Sequence, residues 1–162
     1  MTDGTDKSED IDLPTPNVLM VDDTPENLVA LEVVLDDAGC NLLKATSGQQ
    51  ALGLLLKKDV SLVLLDVQMP EMDGFEVAAL MRENPKTRNI PIIFVTAISK
   101  EQRYVHQGYK AGAVDYLFKP IEPLILRSKV KFFLELDRQK RRLEAKLAAA
   151  RASEKAWLDS LK

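Results

Sequence analysis

Five polar residues in this sequence are placed to do chemistry together: the pair Asp22-Asp23, the lone Asp66, Thr96 and Lys119. Each closes or follows an apolar run: Val18-Leu19-Met20-Val21, Leu62-Val63-Leu64-Leu65, Ile92-Ile93-Phe94-Val95 and Tyr116-Leu117-Phe118. Three carboxylates brought close repel one another and are driven toward protonation. A divalent cation with hard oxygen ligands relieves that conflict, and Mg2+ typically keeps waters while taking one or two carboxylates plus phosphate oxygens. A lysine facing the acids could neutralise phosphoryl oxygens, and a threonine hydroxyl could donate to one. This is equipment for phosphoryl transfer, in which positioning and charge compensation supply most of the catalysis.

Strands and helices alternate around these residues. A short strand at 17–21 runs into Asp22-Asp23, and Thr24 with Pro25 opens a helix carrying Leu28, Leu31, Val34, Leu35 and Ala38 toward a stop at Gly39. The strand at 41–45 leads to a helix capped by Ser47 and reaching about Lys58, with Leu52, Leu55 and Leu56 inward. The Asp66 strand follows, then the turn cluster around Asp73-Gly74 and a helix from Phe75 to about Glu83. Pro91 to Thr96 forms a fourth strand, Lys100 to Ala111 a polar helix, and Val114 to Phe118 a fifth strand. A long last helix begins near Glu122.

Unbroken apolar runs mark strands buried on both faces, as in parallel sheets covered by helices. The expected fold is therefore α/β and doubly wound, a flavodoxin-like (βα)5 sheet of order 2-1-3-4-5 with right-handed crossovers and an extended last helix. That order brings Asp22, Asp23, Asp66, Thr96 and Lys119 to one edge. Asp66 sits on the central strand and is the best-placed nucleophile for an aspartyl phosphate.

The motifs Val21-Asp22-Asp23, Asp66-x-x-Met69-Pro70-x-x-Asp73-Gly74, Thr96-Ala97 and Tyr116-x-x-Lys119-Pro120 together resemble a response-regulator receiver domain, the CheY-like module of two-component signalling, over residues 17–135. The resemblance implies that Asp66 accepts a phosphoryl group from a histidine kinase or phosphotransfer protein. It implies Mg2+ bound by Asp23, Asp66 and the backbone carbonyl of Gln68, with Asp22 acting through water. Lys119 would contact the phosphate and precede a cis Pro120; Thr96 and Tyr116 would be the switch pair; Gln68 and Ile98 would tune dephosphorylation. The expected role is a regulatory phosphoacceptor rather than an enzyme with an external substrate. A phosphatase with its nucleophile after the first strand would need two acids separated by one intervening residue, whereas Asp22 and Asp23 are adjacent.

The flanks are different in character. Residues 1–16 hold five acids against Lys7 alone, with Pro14 and Pro16, and read as a disordered acidic leader. From 136 to 162 runs a helical extension, read as a parallel coiled-coil linker with Phe133, Lys140, Leu147, Glu154 and Leu161 at one core position and Leu136, Leu143, Ala150 and Trp157 at the other. A homodimer through this helix, and through the face made by the 100–111 helix, the fifth strand and the last helix, is expected. In similar receivers such helices lead to an output domain such as a diguanylate cyclase, kinase or phosphatase; a receiver-plus-linker piece of a longer regulator and a stand-alone regulator both fit. The cluster Arg138, Lys140, Arg141, Arg142 and Lys146 lacks a reading motif, and the net charge of −3 argues against a nucleic-acid-coating protein. The single cysteine, Cys40, suits packing in a reducing cytoplasm, and His106 has no metal-partner spacing. No apolar stretch approaches the roughly 18 residues of a membrane span.

Overall fold

The computed structural model describes residues 12–97 and 115–162; the leader to residue 11, Ile98, the expected 100–111 helix with His106, and Val114 lie outside them. The strands are β1 (Asn17–Val21), β2 (Asn41–Ala45), β3 (Leu62–Asp66), β4 (Ile92–Thr96) and β5 (Asp115–Phe118). The described helices are α1 (Pro25–Leu35), α2 (Gly48–Lys57), α3 (Gly74–Glu83) and α4 (Pro123–Ser160). All strands are parallel, in the expected order β2-β1-β3-β4-β5. The chain divides into a unit spanning Thr15–Leu134 and a second that holds Glu135–Lys162.

Side chains alternate across a strand, so each central strand feeds two cores. Leu19, Val21, Val63, Leu65, Ile92, Phe94 and Tyr116 pack on one face with Ala51, Leu55, Val77 and Met81 from α2 and α3. Val18, Met20, Leu62, Leu64, Ile93, Val95 and Leu117 pack on the other with Leu28, Leu31 and Leu35 of α1 and Leu126, Val130 and Leu134 of α4. Burying each of these leucines contributes roughly 1.5–3 kcal/mol. This two-sided burial is why β1, β3 and β4 read as continuous apolar runs.

Three local expectations need correction. The Thr24 side chain does not cap α1; its N–H instead donates to Asp22. Helix α1 stops at Leu35, and Gly39 takes its positive φ of 76° in the turn beyond. Arg127 of α4 closes that end, donating from Nε and Nη2 to the Val34 carbonyl at 3.3 Å. On α2, Ala51 and Leu55 face the core while Leu56 is 57% exposed, because the helix presents its Gly48 edge rather than its Leu56 edge to α3. The Ser47 cap holds: its Oγ accepts the Gln50 N–H at 3.1 Å.

Candidate functional site

The register of the sheet builds the site. Val21 pairs with Leu65, so Asp22 follows β1 at the level where Asp66 ends β3. Asp66 pairs with Val95 on β4, and Thr96 pairs with Phe118 on β5, one residue before Lys119. The Lys119 N–H donates to the Thr96 carbonyl at 2.8 Å, extending the β4–β5 ladder into the site. Five expected site residues, Asp22, Asp23, Asp66, Thr96 and Lys119, thus meet at the carboxyl edge of the strands.

Asp22 is 2% exposed and nearly saturated. Its Oδ1 accepts the Thr24 N–H at 2.9 Å, and its Oδ2 accepts from Asn27 Nδ2 at 3.1 Å and Lys119 Nζ at 3.2 Å. Lys119 Nζ also lies 4.0 Å from Asp66 Oδ1, so one ammonium bridges two buried carboxylates. Asp66 accepts the Gln68 N–H at a long 3.4 Å. Burial pushes its carboxyl up to about 6; Lys119 works against that, Asp22 adds to it, the Gln68 hydrogen bond opposes it and Asp23 adds slightly. Asp23 is exposed, and its carboxylate takes no hydrogen bond among the described residues.

One carboxylate oxygen from each of Asp22, Asp23 and Asp66 lies within 4.8 Å of the others. Three hard oxygen donors against a single lysine among the described residues leave uncompensated negative charge, which a divalent cation fits. Asp22, its lone pairs largely used, suits contact through water, whereas Asp23 and Asp66 are available for direct coordination. For Gln68, the structure shows the N–H engaged with Asp66.

Thr96 is 1% exposed and Tyr116 8% exposed. The Tyr116 ring lies 5.5 Å from Phe94 and stacks on Phe118 at 5.9 Å, and Phe94 meets Phe75 edge-on at 5.0 Å. An aromatic row therefore runs from α3 under β4 to β5. The Lys119-Pro120 peptide is cis, as expected.

Asn27 and Arg127 were not legible as contributors, nor was the packing role of Gly74. Asn27, which holds Asp22, has only its place in the first turn of α1 as a signal. Gly74 packs against the backbone that carries Asp66: a Cβ there would stand 2.3 Å from the Asp66 carbonyl oxygen. Its N–H donates to the Val67 carbonyl at 2.9 Å, and Asp73 caps α3 by accepting the Glu76 N–H at 2.9 Å. Glu71, at a φ of 67°, makes the bend between them. Arg127 acts further away, on the far end of α1.

Comparison with known proteins places this arrangement. The family profile of the response regulator receiver domain matches residues 18–131. A probable cyclic di-GMP phosphodiesterase of Vibrio cholerae serotype O1 is 40% identical over 129 residues, covering 80% of this chain and 29% of that protein. The response regulator PleD of Caulobacter vibrioides is 36% identical over 129 residues, 77% of this chain and 28% of its own. The chain thus spans under a third of the length of these two relatives. Among solved structures, the chemotaxis protein CheY4 of Vibrio cholerae superposes with a TM-score of 0.69 at 28% identity, over 74% of this chain and 99% of that one. The signal receiver domain of an HD domain-containing protein from Pseudomonas fluorescens Pf-5 gives 0.71 at 25% identity, over 78% and 99%.

Proposed function

Because the chain belongs to the response regulator receiver family, we propose that it is a Mg2+-dependent phosphoacceptor switch in which Asp66 takes a phosphoryl group from a phosphohistidine of a histidine kinase or phosphotransfer protein. The observation that supports this most is the meeting of Asp22, Asp23, Asp66 and Lys119 at one strand edge. An Asp66 carboxylate oxygen bonds to phosphorus as the phosphorus–nitrogen bond breaks, and the electron pair leaves with the imidazole. Attack by water on phosphorus later releases inorganic phosphate and restores the carboxylate. Asp23, Asp66 and the Gln68 carbonyl would hold Mg2+, with Asp22 acting through water; when bound, the ion supplies charge compensation to the acids and to the phosphoryl oxygens. Lys119 is placed to leave Asp22 for a phosphoryl oxygen, and the buried Thr96 hydroxyl to donate to another.

The role is regulatory rather than that of an enzyme with an external substrate, and it is exercised in the cytoplasm. The new charge-assisted contacts would shift Thr96 and Tyr116 and bias the pairing of the C-terminal helix in a homodimer. The output is proposed to lie either in partner contacts of that helix or in a further domain of a longer regulator; the two long relatives favour the second. Neither nucleic acid nor membrane is the proposed target, and no helix among the described residues is long and apolar enough to cross a bilayer. The test is acyl-phosphate labelling by a phosphorylated histidine donor. Labelling should require Mg2+ and vanish in Asp66→Ala. Undiminished labelling of that variant, or turnover of a generic phosphomonoester by the native chain, would overturn the proposal.

A further inference from the structure

Resting on the proposed transfer of a phosphoryl group to Asp66, we infer that Asn27 is a positioning residue for that reaction, holding Asp22 so that Lys119 is free to leave it. Asp22 Oδ2 accepts from two side chains, Asn27 Nδ2 at 3.1 Å and Lys119 Nζ at 3.2 Å. Its Oδ1 accepts the Thr24 N–H at 2.9 Å. Asn27 and Lys119 thus share one carboxylate oxygen, and the carboxamide decides what remains there when the ammonium moves to a phosphoryl oxygen.

The fold fixes where that carboxamide stands. Asn27 lies in the first turn of α1, its own N–H donating to the Thr24 carbonyl at 3.0 Å. The next residue, Leu28, is 2% exposed and anchors the helix, with Leu31 and Leu35, in the core that contains Met20 and Leu64. Asn27 therefore reaches Asp22 from a rigid support. Its orientation is fixed by chemistry: turned over, the amide oxygen would face a carboxylate, so the NH2 end is the one that meets Asp22. Aspartate has the same shape but would bring a charge and an acceptor where a donor is needed.

Burial makes this second donor matter. Asp22 is 2% exposed and cannot replace a lost partner from bulk water. Asp22, Asn27 and Lys119 border a cavity of about 330 Å3 whose remaining walls are apolar, Leu31, Val34, Val95 and Leu126 among them, and these offer no substitute donor. With Asn27 in place, Lys119 can depart and each oxygen of Asp22 keeps one donor. Without Asn27, the departure of Lys119 strips Oδ2 of both, and leaving a buried charge unpaired costs more than breaking one of two hydrogen bonds. Asp22 then retains the lysine and opposes its transfer. Asp23 and Asp66 are the acids open to direct coordination of Mg2+, and the Asn27 bond goes to Asp22 instead. Losing it slows transfer more than it weakens metal binding.

The test uses the full chain, native and as Asn27→Ala and Asn27→Asp, labelled by phosphoramidate, a small donor with a phosphorus–nitrogen bond that needs no protein docking. At saturating Mg2+ the rate should fall about tenfold or more in Asn27→Ala and at least as far in Asn27→Asp, while the Mg2+ Kd from calorimetry stays within about threefold for Asn27→Ala. Rates within twofold of native, a fast Asn27→Asp, or a loss of Mg2+ affinity in Asn27→Ala matching its loss of rate would overturn the inference. The shared oxygen is read without metal by denaturant unfolding of Asn27→Ala, Lys119→Met and the double variant. The double variant should lower the folding constant about fivefold or more beyond the product of the two single losses. A simple product, within about twofold, would overturn the inference and leave the phosphoacceptor reading intact. A native chain labelled neither by phosphoramidate nor by a phosphorylated histidine donor would overturn that reading and this inference with it.

Discussion

Replacing Asp66 should make the metal-free protein more stable. Asp66 is 5% exposed, and burial raises its carboxyl from 3.8 to about 6. Below 3.8 the group is protonated in both the folded and the unfolded chain and contributes no difference. Between 3.8 and about 6 the folded state holds the proton and the unfolded state does not, so stability falls as pH rises through that window. Above it the ionised carboxylate costs the fold about 3 kcal/mol, from roughly two pKa units at 1.36 kcal/mol each. Asp66→Asn removes this cost while keeping the shape. In chelator-treated buffer the variant should therefore melt higher at pH 7, by on the order of 10 °C for a unit of this size. At pH 4.5 the same linkage leaves an advantage of only about 1 kcal/mol. Adding Mg2+ at pH 7 should narrow the gap, since the ion stabilises the native cluster and finds one carboxylate fewer in the variant. Paired thermal melts across pH 4 to 8, with and without Mg2+, measure all of this. A variant that melts at or below the native chain at pH 7, or a gain independent of pH, would refute the reasoning.

Two further substitutions probe the supports of the site. Gly74→Ala drives a Cβ to 2.3 Å from the Asp66 carbonyl oxygen, so the β3–α3 turn must shift; a loss of about 2–4 kcal/mol in denaturant unfolding is expected, with weaker Mg2+ binding by the displaced Asp66. Arg127→Met keeps the length of the side chain but uncaps the Val34 carbonyl at the end of α1 and removes the contact at 3.5 Å with Asp37; about 1–2 kcal/mol should be lost, with Mg2+ affinity at the distant Asp22 changed less than in Gly74→Ala.

Much of this was readable in the residues, for identifiable reasons. A strand buried on both faces has to be apolar throughout, so β1, β3 and β4 announce themselves, and a charge at the end of such a run stands out. The strand order then carries Asp22, Asp66 and Lys119 together with no knowledge of their contacts. The misreadings came where local pattern carries little information. Helix α1 is apolar nearly all round, with Val29 and Val33 exposed at 54 and 71%; the spacing places Leu28, Leu31 and Leu35 on the core as found, but it could not show the end at Leu35. What closes α1 is Arg127, some ninety positions later in the chain, and no neighbouring residue hints at it. Thr24 looked like a cap because its type suits one, but its side chain makes no capping hydrogen bond, and its N–H donates to Asp22. Gly74 was visible as a turn residue; that its missing side chain makes room for the backbone of Asp66 depends on a contact eight residues back.

The bridging ammonium of Lys119 has one more consequence. With Nζ 3.2 Å from Asp22 and 4.0 Å from Asp66, the protein carries its own resident counter-ion. A divalent cation binding there would arrive by ion exchange: what it gained at the cluster would be measured against a tethered charge that never diffuses away. Such a site stays partly neutralised when the metal is scarce, and it discriminates against monovalent ions, which offer no more charge than the lysine they would compete with. In the proposed cycle the same tether would return Lys119 to the acids once a phosphoryl group departs, so each round would begin from one electrostatic ground state.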